Sequence, residues 1–191
     1  QKGWVPMEKS EIPFLSAAAL GDLIRTRQVS PVEATEAYLD RIEKLDGTLR
    51  SYVTVAREQA LAAAKASDIL RAAGLSRSLV EGLPMSVKNL HDIAGYITLG
   101  GSAVLKDAEP AEQNATIVER LLRAGAILIG STNMTEFAFS GLGINPHYGT
   151  PRSVWGRDNA RIPGGSSSGA GVAVAQGMSV FSIGPATGDS I

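Results

Sequence analysis

The chain has 191 residues, of which 44% are hydrophobic, and a formal net charge of −1, values typical of a globular protein with a sizeable core. The charge gives no basic excess of the kind that nucleic-acid-binding proteins carry, and no apolar stretch has the form of a signal peptide or a membrane span. Cysteine is absent, which excludes disulfides, thiolate catalysis and cysteine-ligated zinc; a cytoplasmic location is expected.

The N-terminal part is predicted to be helical after a short lead-in. Residues 1–15 show no periodicity and contain two prolines, so they are expected to be extended. Ser16 is typical of a helix N-cap, and the apolar spacing after it predicts a helix to about Gln28. The sequence SPVE at 30–33 combines an N-cap serine, a proline in the first turn and a capping-box glutamate. It predicts a second helix to about Leu45.

The rest of the chain alternates strands with helices. Strands are predicted at 51–55, 84–89, 127–131 and 180–184, and helices at 56–73, 115–126 and 170–176. The order of strand, helix and strand between 84 and 131 is a βαβ unit, which implies parallel strands joined by a right-handed crossover. The sequence therefore predicts an α/β fold with a mixed sheet, whose parallel core is flanked by helices and preceded by N-terminal helices.

Two turns rich in glycine and serine bracket the last predicted helix. The first reads PGGSSSGAG from Pro163, and the second reads GPATGDS and ends at Ser190. Small residues permit unusual backbone conformations and the close approach of a ligand. A serine hydroxyl needs a base to become a nucleophile. Lys88, which ends an apolar strand, is the best candidate, because burial lowers the pKa of a lysine toward the neutral, basic form.

Taken in chain order, these segments resemble the amidase signature family of serine hydrolases. The resemblance rests on GLPMSVKNLHD, AGAILIGSTNMTEFAFSGLGINPHYGTPRS, PGGSSSGAGVAVA and the final G-x-x-T-G-x-S, and it covers roughly Ser16 to Ile191. It implies an amidohydrolase that cleaves a linear, non-peptide carboxamide to a carboxylate and ammonia or an amine. A small-molecule amide is the expected partner, without direct contact to nucleic acid or membrane, and a homo-oligomer is compatible with the sequence. No metal or organic cofactor is implied.

The resemblance also assigns roles to particular residues. Lys88 corresponds to the general base, Ser166 to the bridging serine after a cis peptide bond at Gly165, and Ser190 to the nucleophile that forms an acyl-enzyme. Backbone N–H groups of the second turn correspond to the family's oxyanion hole. These groups belong to Thr187, Gly188 and Asp189, together with Ser190 itself.

The second turn departs from the family pattern. The family usually has Gly-Ser/Thr-Asp-Thr-Gly-Gly-Ser, whereas this chain has Pro185, Ala186 and Asp189 within the corresponding stretch. A carboxylate about 4 Å from a developing oxyanion costs roughly 1 kcal/mol in water and about 4 kcal/mol at intermediate dielectric. We therefore expect Asp189, if it faces the oxyanion, to slow the reaction by about one to three decades.

The sequence begins without methionine and ends directly after Ser190, so we expect a truncated chain. In this interpretation, residues 1–15 are a lead-in and residues 16–191 are the N-terminal part of a single amidase domain. Much of the substrate pocket then lies in the missing part. The isolated segment is expected to be inactive.

Three alternatives remain open on the sequence alone. Residues 165–169 match G-x-S-x-G, which would make Ser167 the nucleophile of an α/β-hydrolase esterase, but no histidine follows His147. A glycine- and serine-rich loop that opens a helix could bind phosphate without catalysis, although the P-loop lysine is missing. Within the family, the glutaminase subunit of glutamyl-tRNA(Gln) amidotransferase is the main alternative. Ser167 and Ser168 are otherwise expected to be cap or turn residues, and both His91 and His147 to be structural.

Overall fold

The computed structural model describes residues 7–186 of the chain. In chain order these residues form α1 (Ala17–Arg25), α2 (Pro31–Leu49), β1 (Tyr52–Val55), α3 (Arg57–Ala72), β2 (Pro84–Lys88), α4 (Thr116–Arg123), β3 (Ile127–Thr132), α5 (Ser168–Ala175) and β4 (Phe181–Ile183). Among the helices of this range, none is both long and apolar enough to cross a membrane.

The four strands form one mixed sheet in the order β1-β3-β2-β4. β1 is antiparallel to β3, whereas β2 is parallel to both of its neighbours, β3 and β4. β2, α4 and β3 make up the predicted βαβ unit, so the prediction of a mixed sheet with a parallel core is confirmed. All five residues of β2 are buried, and Lys88 is the last of them.

Helices pack on both faces of the sheet. Successive side chains of a strand point to opposite faces, so neighbouring residues of β3 contact different helices. Ile127 and Ile129 of β3 belong to the larger apolar cluster. That cluster also contains Leu20 of α1, Tyr38 of α2, Ala60 of α3 and Val172 of α5. Leu128, between the two isoleucines, packs instead with Val87 and with Val118 of α4 in a smaller cluster. The sheet is therefore the middle layer of the fold.

The capping box predicted at the start of α2 is present. Ser30 Oγ accepts a hydrogen bond from the Glu33 backbone N–H at 3.0 Å, and the Ser30 N–H donates to Glu33 Oε2 at 2.8 Å. The helix continues to Leu49, beyond the predicted end near Leu45, and stops at Arg50, which has a left-handed backbone with a φ of 55°. A left-handed arginine leaves no clear stop signal in the sequence, so the predicted end was too early.

The prediction of an extended lead-in is wrong for Lys9–Phe14, which form a 3-10 helix that packs against α2. Ile12 and Pro13 are buried there, and the Glu8 N–H donates to Glu11 Oε2 at 3.2 Å. Burial of an isoleucine side chain stabilises the short helix despite its proline. The two prolines alone had favoured an extended chain.

Candidate active site

Lys88 ends β2 in the interior of the protein, with none of its surface exposed. Its Nζ donates a hydrogen bond to Ser166 Oγ at 2.6 Å and lies 3.4 Å from the backbone oxygen of Pro185. Burial lowers the pKa of Lys88 to about 8. Desolvation disfavours the charged ammonium, so an appreciable fraction of the amine is neutral near physiological pH and can accept a proton.

Ser166 follows a cis peptide bond with Gly165, the position at which the resemblance implied one. The Ser166 carbonyl accepts a hydrogen bond from the Thr135 N–H at 3.0 Å, and the residue is 1% exposed. A Cβ atom at position 165 would lie 2.8 Å from backbone atoms of Gly143 and from Thr135 Oγ1. Only glycine fits there, and this close packing holds the Ser166 hydroxyl next to Lys88.

The next two serines lie at the start of α5. Ser167 occupies the N-cap position, as predicted, but its hydroxyl makes no capping hydrogen bond. The hydroxyl oxygens of Ser167 and Ser168, and that of Thr135, are buried without a hydrogen-bond partner among residues 7–186. These three hydroxyl groups lie close to Ser166 in sequence or in space, and each remains able to form a hydrogen bond.

Asn133, which directly follows β3, fixes the start of α5 and was not identified from the sequence. Its carbonyl accepts a hydrogen bond from the Gly169 N–H at 3.0 Å. Its Nδ2 donates to the carbonyls of Arg50 and Gly149, at 3.1 and 2.7 Å. The available sequence signal was an asparagine directly after an apolar strand. An amide buried at such a position is generally hydrogen-bonded.

Asn145 braces the loop that packs on the first glycine-rich turn. Its Nδ2 donates to the carbonyls of Gly101 and Met134, at 2.8 Å each. Two residues on, His147 Nε2 lies 3.2 Å from Glu136 Oε1. His147 is therefore part of a loop contact, in agreement with the structural role expected for it.

Asn89 ties the chain after Lys88 to neighbouring segments. Its Nδ2 donates to Ser131 Oγ at 3.0 Å, and its Oδ1 accepts from the Leu99 N–H at 2.8 Å. Burial, together with the charge of Lys88, lowers the pKa of His91. Its Nε2 is buried and has no hydrogen-bond partner within the described range. A neutral imidazole follows from this environment.

A cavity of about 620 Å³ opens between the first glycine-rich turn, α5 and the end of β4. Hydroxyl-bearing residues line it at Ser167, Ser168 and Ser182, and small or apolar residues at Pro163, Gly165, Ala170, Val174 and Gly184. A space of this size suits a small organic molecule. Among residues 7–186, no basic side chain lines it, so this part of the cavity does not support the phosphate-binding alternative.

The second turn is only partly described. Gly184 and Pro185 lie beside Lys88, and a Cβ atom at position 184 would be 2.7 Å from Ser167 Oγ. The other predicted residues, namely Thr187, Gly188, Asp189 and Ser190, lie outside the described residues. Their roles stay predictions.

The α/β-hydrolase alternative requires a strand that leads directly into the nucleophile and then a helix. α5 does follow Ser167, but no strand lies between Thr132 and Ser167 in the described chain. The structural context of a nucleophile elbow is therefore missing at Ser167.

Comparison with known proteins connects this geometry to a family. The family model described as Amidase matches residues 33–191. One subunit of the glutamyl-tRNA(Gln) amidotransferase of Moorella thermoacetica is 41% identical over 181 residues, 95% of this chain and 37% of that protein. The putative amidase AmiD of Mycobacterium tuberculosis is 43% identical over 185 residues, 97% of this chain and 38% of that protein.

A solved structure agrees with these sequence relatives. The peptide amidase of Stenotrophomonas maltophilia superposes with a TM-score of 0.77 at 32% identity, over 88% of this chain and 36% of that one. The chain thus spans a little over a third of the length of the relatives it matches. The matched family model, the relatives and the shared fold lead to one conclusion: the chain belongs to the amidase signature family.

Proposed function

We propose that the protein is an amidohydrolase, which cleaves a linear carboxamide to a carboxylate and ammonia or an amine through a serine acyl-enzyme. The observation that carries this proposal is the hydrogen bond between the buried Lys88 amine and Ser166 Oγ at 2.6 Å. A lysine with a pKa of about 8, held against a serine hydroxyl, is suited to accept a proton. The residues in these roles are Lys88, Ser166 and Ser190.

In this mechanism Ser190 Oγ attacks the amide carbon. As the new C–O bond forms, the Ser190 proton passes to Ser166 Oγ, and the Ser166 proton passes to the neutral Nζ of Lys88. The proton then returns through Ser166 to the amide nitrogen as the C–N bond breaks. Water then attacks the resulting ester and gives one proton through Ser166 to Lys88. That proton returns through Ser166 to Ser190 Oγ as its C–O bond breaks, and the acid product leaves as a carboxylate after losing its proton to solvent.

The negative charge on the carbonyl oxygen needs hydrogen-bond donors. We assign this role to the backbone N–H groups of Thr187, Gly188 and Asp189, each of which is worth about 100- to 1000-fold in rate in comparable sites. The steps above use only protein groups and water. No metal or organic cofactor takes part in the proposed reaction.

We further propose that residues 16–191 form the N-terminal part of one amidase domain, and that residues 1–191 alone do not turn over substrate. Relatives of more than twice this length support both statements. The proposed partner is a small amide, in a cytoplasmic protein that is free to form homo-oligomers. The similarity to a peptide amidase extends the candidate substrates from non-peptide amides to peptide amides.

A second candidate function is the release of ammonia from glutamine within a tRNA-dependent amidotransferase. The specific observation in its favour is the 41% identity to one subunit of such an enzyme. Both functions use the same chemistry at Lys88, Ser166 and Ser190. They differ in the amide that is cleaved and in the dependence on partner subunits.

The test is a comparison of ammonia release by the full-length protein from simple carboxamides, a peptide amide and glutamine. We expect turnover of at least one amide without added subunits, and its loss in Ser190→Ala and Ser166→Ala. The variant Thr35→Val, which removes a buried hydroxyl of α2 without a partner in the described structure, serves as the control. Turnover that survives Ser190→Ala would contradict the mechanism. If glutamine is the only amide that is hydrolysed, and only when partner subunits are present, the second candidate function is favoured.

A further inference from the structure

Two buried serines and one partly exposed serine lie close together on the face of β2 that carries Lys88. Ser86 Oγ of β2 lies 3.1 Å from Ser179 Oγ and 2.9 Å from Ser182 Oγ of β4. Ser86 and Ser179 are 0% and 1% exposed. We refer to Ser86, Ser179 and Ser182 as the serine layer.

The hydroxyl protons of the serine layer have defined directions. Ser182 donates to the Ser86 carbonyl at 3.2 Å, and Ser179 donates to the Phe181 carbonyl. Each hydroxyl has a single proton, so the oxygens of Ser179 and Ser182 face Ser86 Oγ with lone pairs. All three hydroxyl groups therefore have hydrogen-bond partners.

Tyr52 connects the serine layer to the opposite edge of the sheet. Its hydroxyl donates to the Met178 carbonyl at 2.7 Å, just before Ser179. To reach this point from β1, the ring passes over β3 at Gly130, where a Cβ atom would lie 3.1 Å from a ring carbon. The contact thus links β1 to the turn that begins β4.

The serine layer lies on the same face of β2 as Lys88, the proposed base. Ser86 pairs with Ser182 in the register between β2 and β4. Lys88 is two residues beyond Ser86, about 6.6 Å along the strand and on the same face. β4 has only three residues, all partly exposed, so few contacts fix its register. A slip by one residue would move Ser182 to the other face and shift the chain that follows relative to Lys88.

We infer that the hydrogen bonds between Ser86 and Ser182 set the register of β4, so that the chain after Ile183 passes Lys88. Ser182 is then a positioning residue of the reaction, and this inference rests on the proposed function. The chain leaves β4 through Gly184 and Pro185, whose carbonyl lies 3.4 Å from Lys88 Nζ. A fixed register at this point keeps Gly184 and Pro185 next to the amine.

The test uses two variants of nearly equal shape in the full-length protein. Ser182→Thr keeps the hydroxyl and Ser182→Val replaces it by a methyl group, and the extra carbon has room because Ser182 lines the cavity. We expect kcat of Ser182→Thr to exceed that of Ser182→Val, because only threonine keeps the hydroxyl that bonds Ser86. Relative to Ser182→Thr, kcat of Ser182→Val should fall about tenfold, while these two variants of nearly equal shape should have similar KM values, because the loss affects alignment rather than binding. Thr35→Val is again the control.

The pH profile separates positioning from damage to Lys88. If Ser182 only fixes β4, the profile of Ser182→Val keeps the wild-type midpoint near 8, since the burial of Lys88 is unchanged. A shifted midpoint, or equal kcat in the valine and threonine variants, would overturn the inference.

Hydrogen exchange of the peptide that covers residues 178–186 tests the inference without activity. We expect faster exchange in Ser182→Val than in Ser182→Thr and in the wild type. If the wild type hydrolyses no amide but this difference is found, the proposed function fails and the role of Ser182 in the register stands. Equal exchange in all three proteins would overturn the inference whether or not the protein is active.

Discussion

Buried hydroxyl groups occur in two neighbouring regions of this protein, and the regions differ in how these groups are bonded. In the serine layer, Ser86, Ser179 and Ser182 all have hydrogen-bond partners. Around Ser166, the hydroxyls of Thr135, Ser167 and Ser168 are equally buried. None of these three has a hydrogen-bond partner within residues 7–186.

A buried hydroxyl without a partner costs about 1–3 kcal/mol, whereas a fully bonded network stiffens the fold around it. The serine layer therefore has the properties of a scaffold that keeps β2 and β4 aligned. The hydroxyls beside Ser166 remain able to bond groups outside residues 7–186, and the proposed substrate would be one such group. The difference separates what holds the proposed base in place from what would contact the amide.

The largest effect is expected at Lys88, where the two regions meet. In Lys88→Met, which keeps an apolar side chain of similar length, kcat should fall about 10²- to 10⁴-fold, the contribution typical of a general base. Unfolding near pH 7 should need no less heat than in the wild type, because a buried amine is removed. The matched control is Lys106→Met, whose side chain is 67% exposed. Retained activity in Lys88→Met would remove Lys88 from the mechanism.

The next prediction concerns Asp189, the carboxylate that the sequence places directly before the proposed nucleophile Ser190. Asp189→Gly removes the carboxylate that we propose lies beside the developing oxyanion. We expect kcat to rise by about 10- to 1000-fold, the range that corresponds to a repulsion of about 1 to 4 kcal/mol. Asp189→Asn separates charge from backbone conformation. No gain in either variant would show that the carboxylate does not face the oxyanion.

The pH dependence tests whether the Lys88 amine is desolvated, as its burial indicates. The neutral amine is the active form, so kcat/KM should fall about tenfold per pH unit below pH 8 and level off above it. An unfolded lysine titrates near 10.5, so the unfolded state binds more protons between about pH 8 and 10.5. The free energy of unfolding should therefore rise with pH in that window, relative to Lys88→Met. A flat difference across that window would contradict the lowered pKa.

Gly184 tests how tightly the end of β4 approaches the unpartnered hydroxyls. A methyl group at position 184 would lie 2.7 Å from Ser167 Oγ, so Gly184→Ala should lower the free energy of unfolding by about 1–3 kcal/mol and slow turnover. At Gly171 of α5 an added methyl meets no atom of other segments within 4 Å among residues 7–186. Gly171→Ala should therefore stabilise the helix by up to about 1 kcal/mol. Equal effects of the two substitutions would contradict the close approach.

The smallest effect compares one hydroxyl from each region. Ser86→Ala breaks satisfied hydrogen bonds and should destabilise the protein by about 1 kcal/mol or more. Ser168→Ala removes an oxygen without a partner in the described structure, so its change should lie within about 0.5 kcal/mol of zero or be stabilising. Chemical denaturation of the full-length protein measures both. An equal loss would show that Ser168 finds a partner outside residues 7–186.

Local sequence signals predicted much of the fold. The serine, proline and glutamate at 30–33 predicted the start of α2. A β-branched run predicted β1, and short apolar runs predicted the other three strands, all to within one or two residues. Helix ends were less predictable: α1 was expected to reach Gln28 but ends at Arg25, and Arg27 has a left-handed φ of 63°. Arginine is not a residue whose presence indicates that backbone.

The candidate site divides in the same way. The contact between Lys88 and Ser166 was expected because both positions match a family pattern. The hydrogen bonds of Asn133 and of the serine layer join residues far apart in the chain, through a strand register that local propensities do not encode. Their partners became visible only once the sheet was assembled.

The most direct test of the central claim is covalent labelling of the full-length protein with a fluorophosphonate, followed by mass mapping of the modified peptide. We predict that the label lies on Ser190, that its rate rises with pH through about 8, and that Lys88→Met loses it. Label on Ser167, or a rate that does not depend on Lys88, would contradict the account.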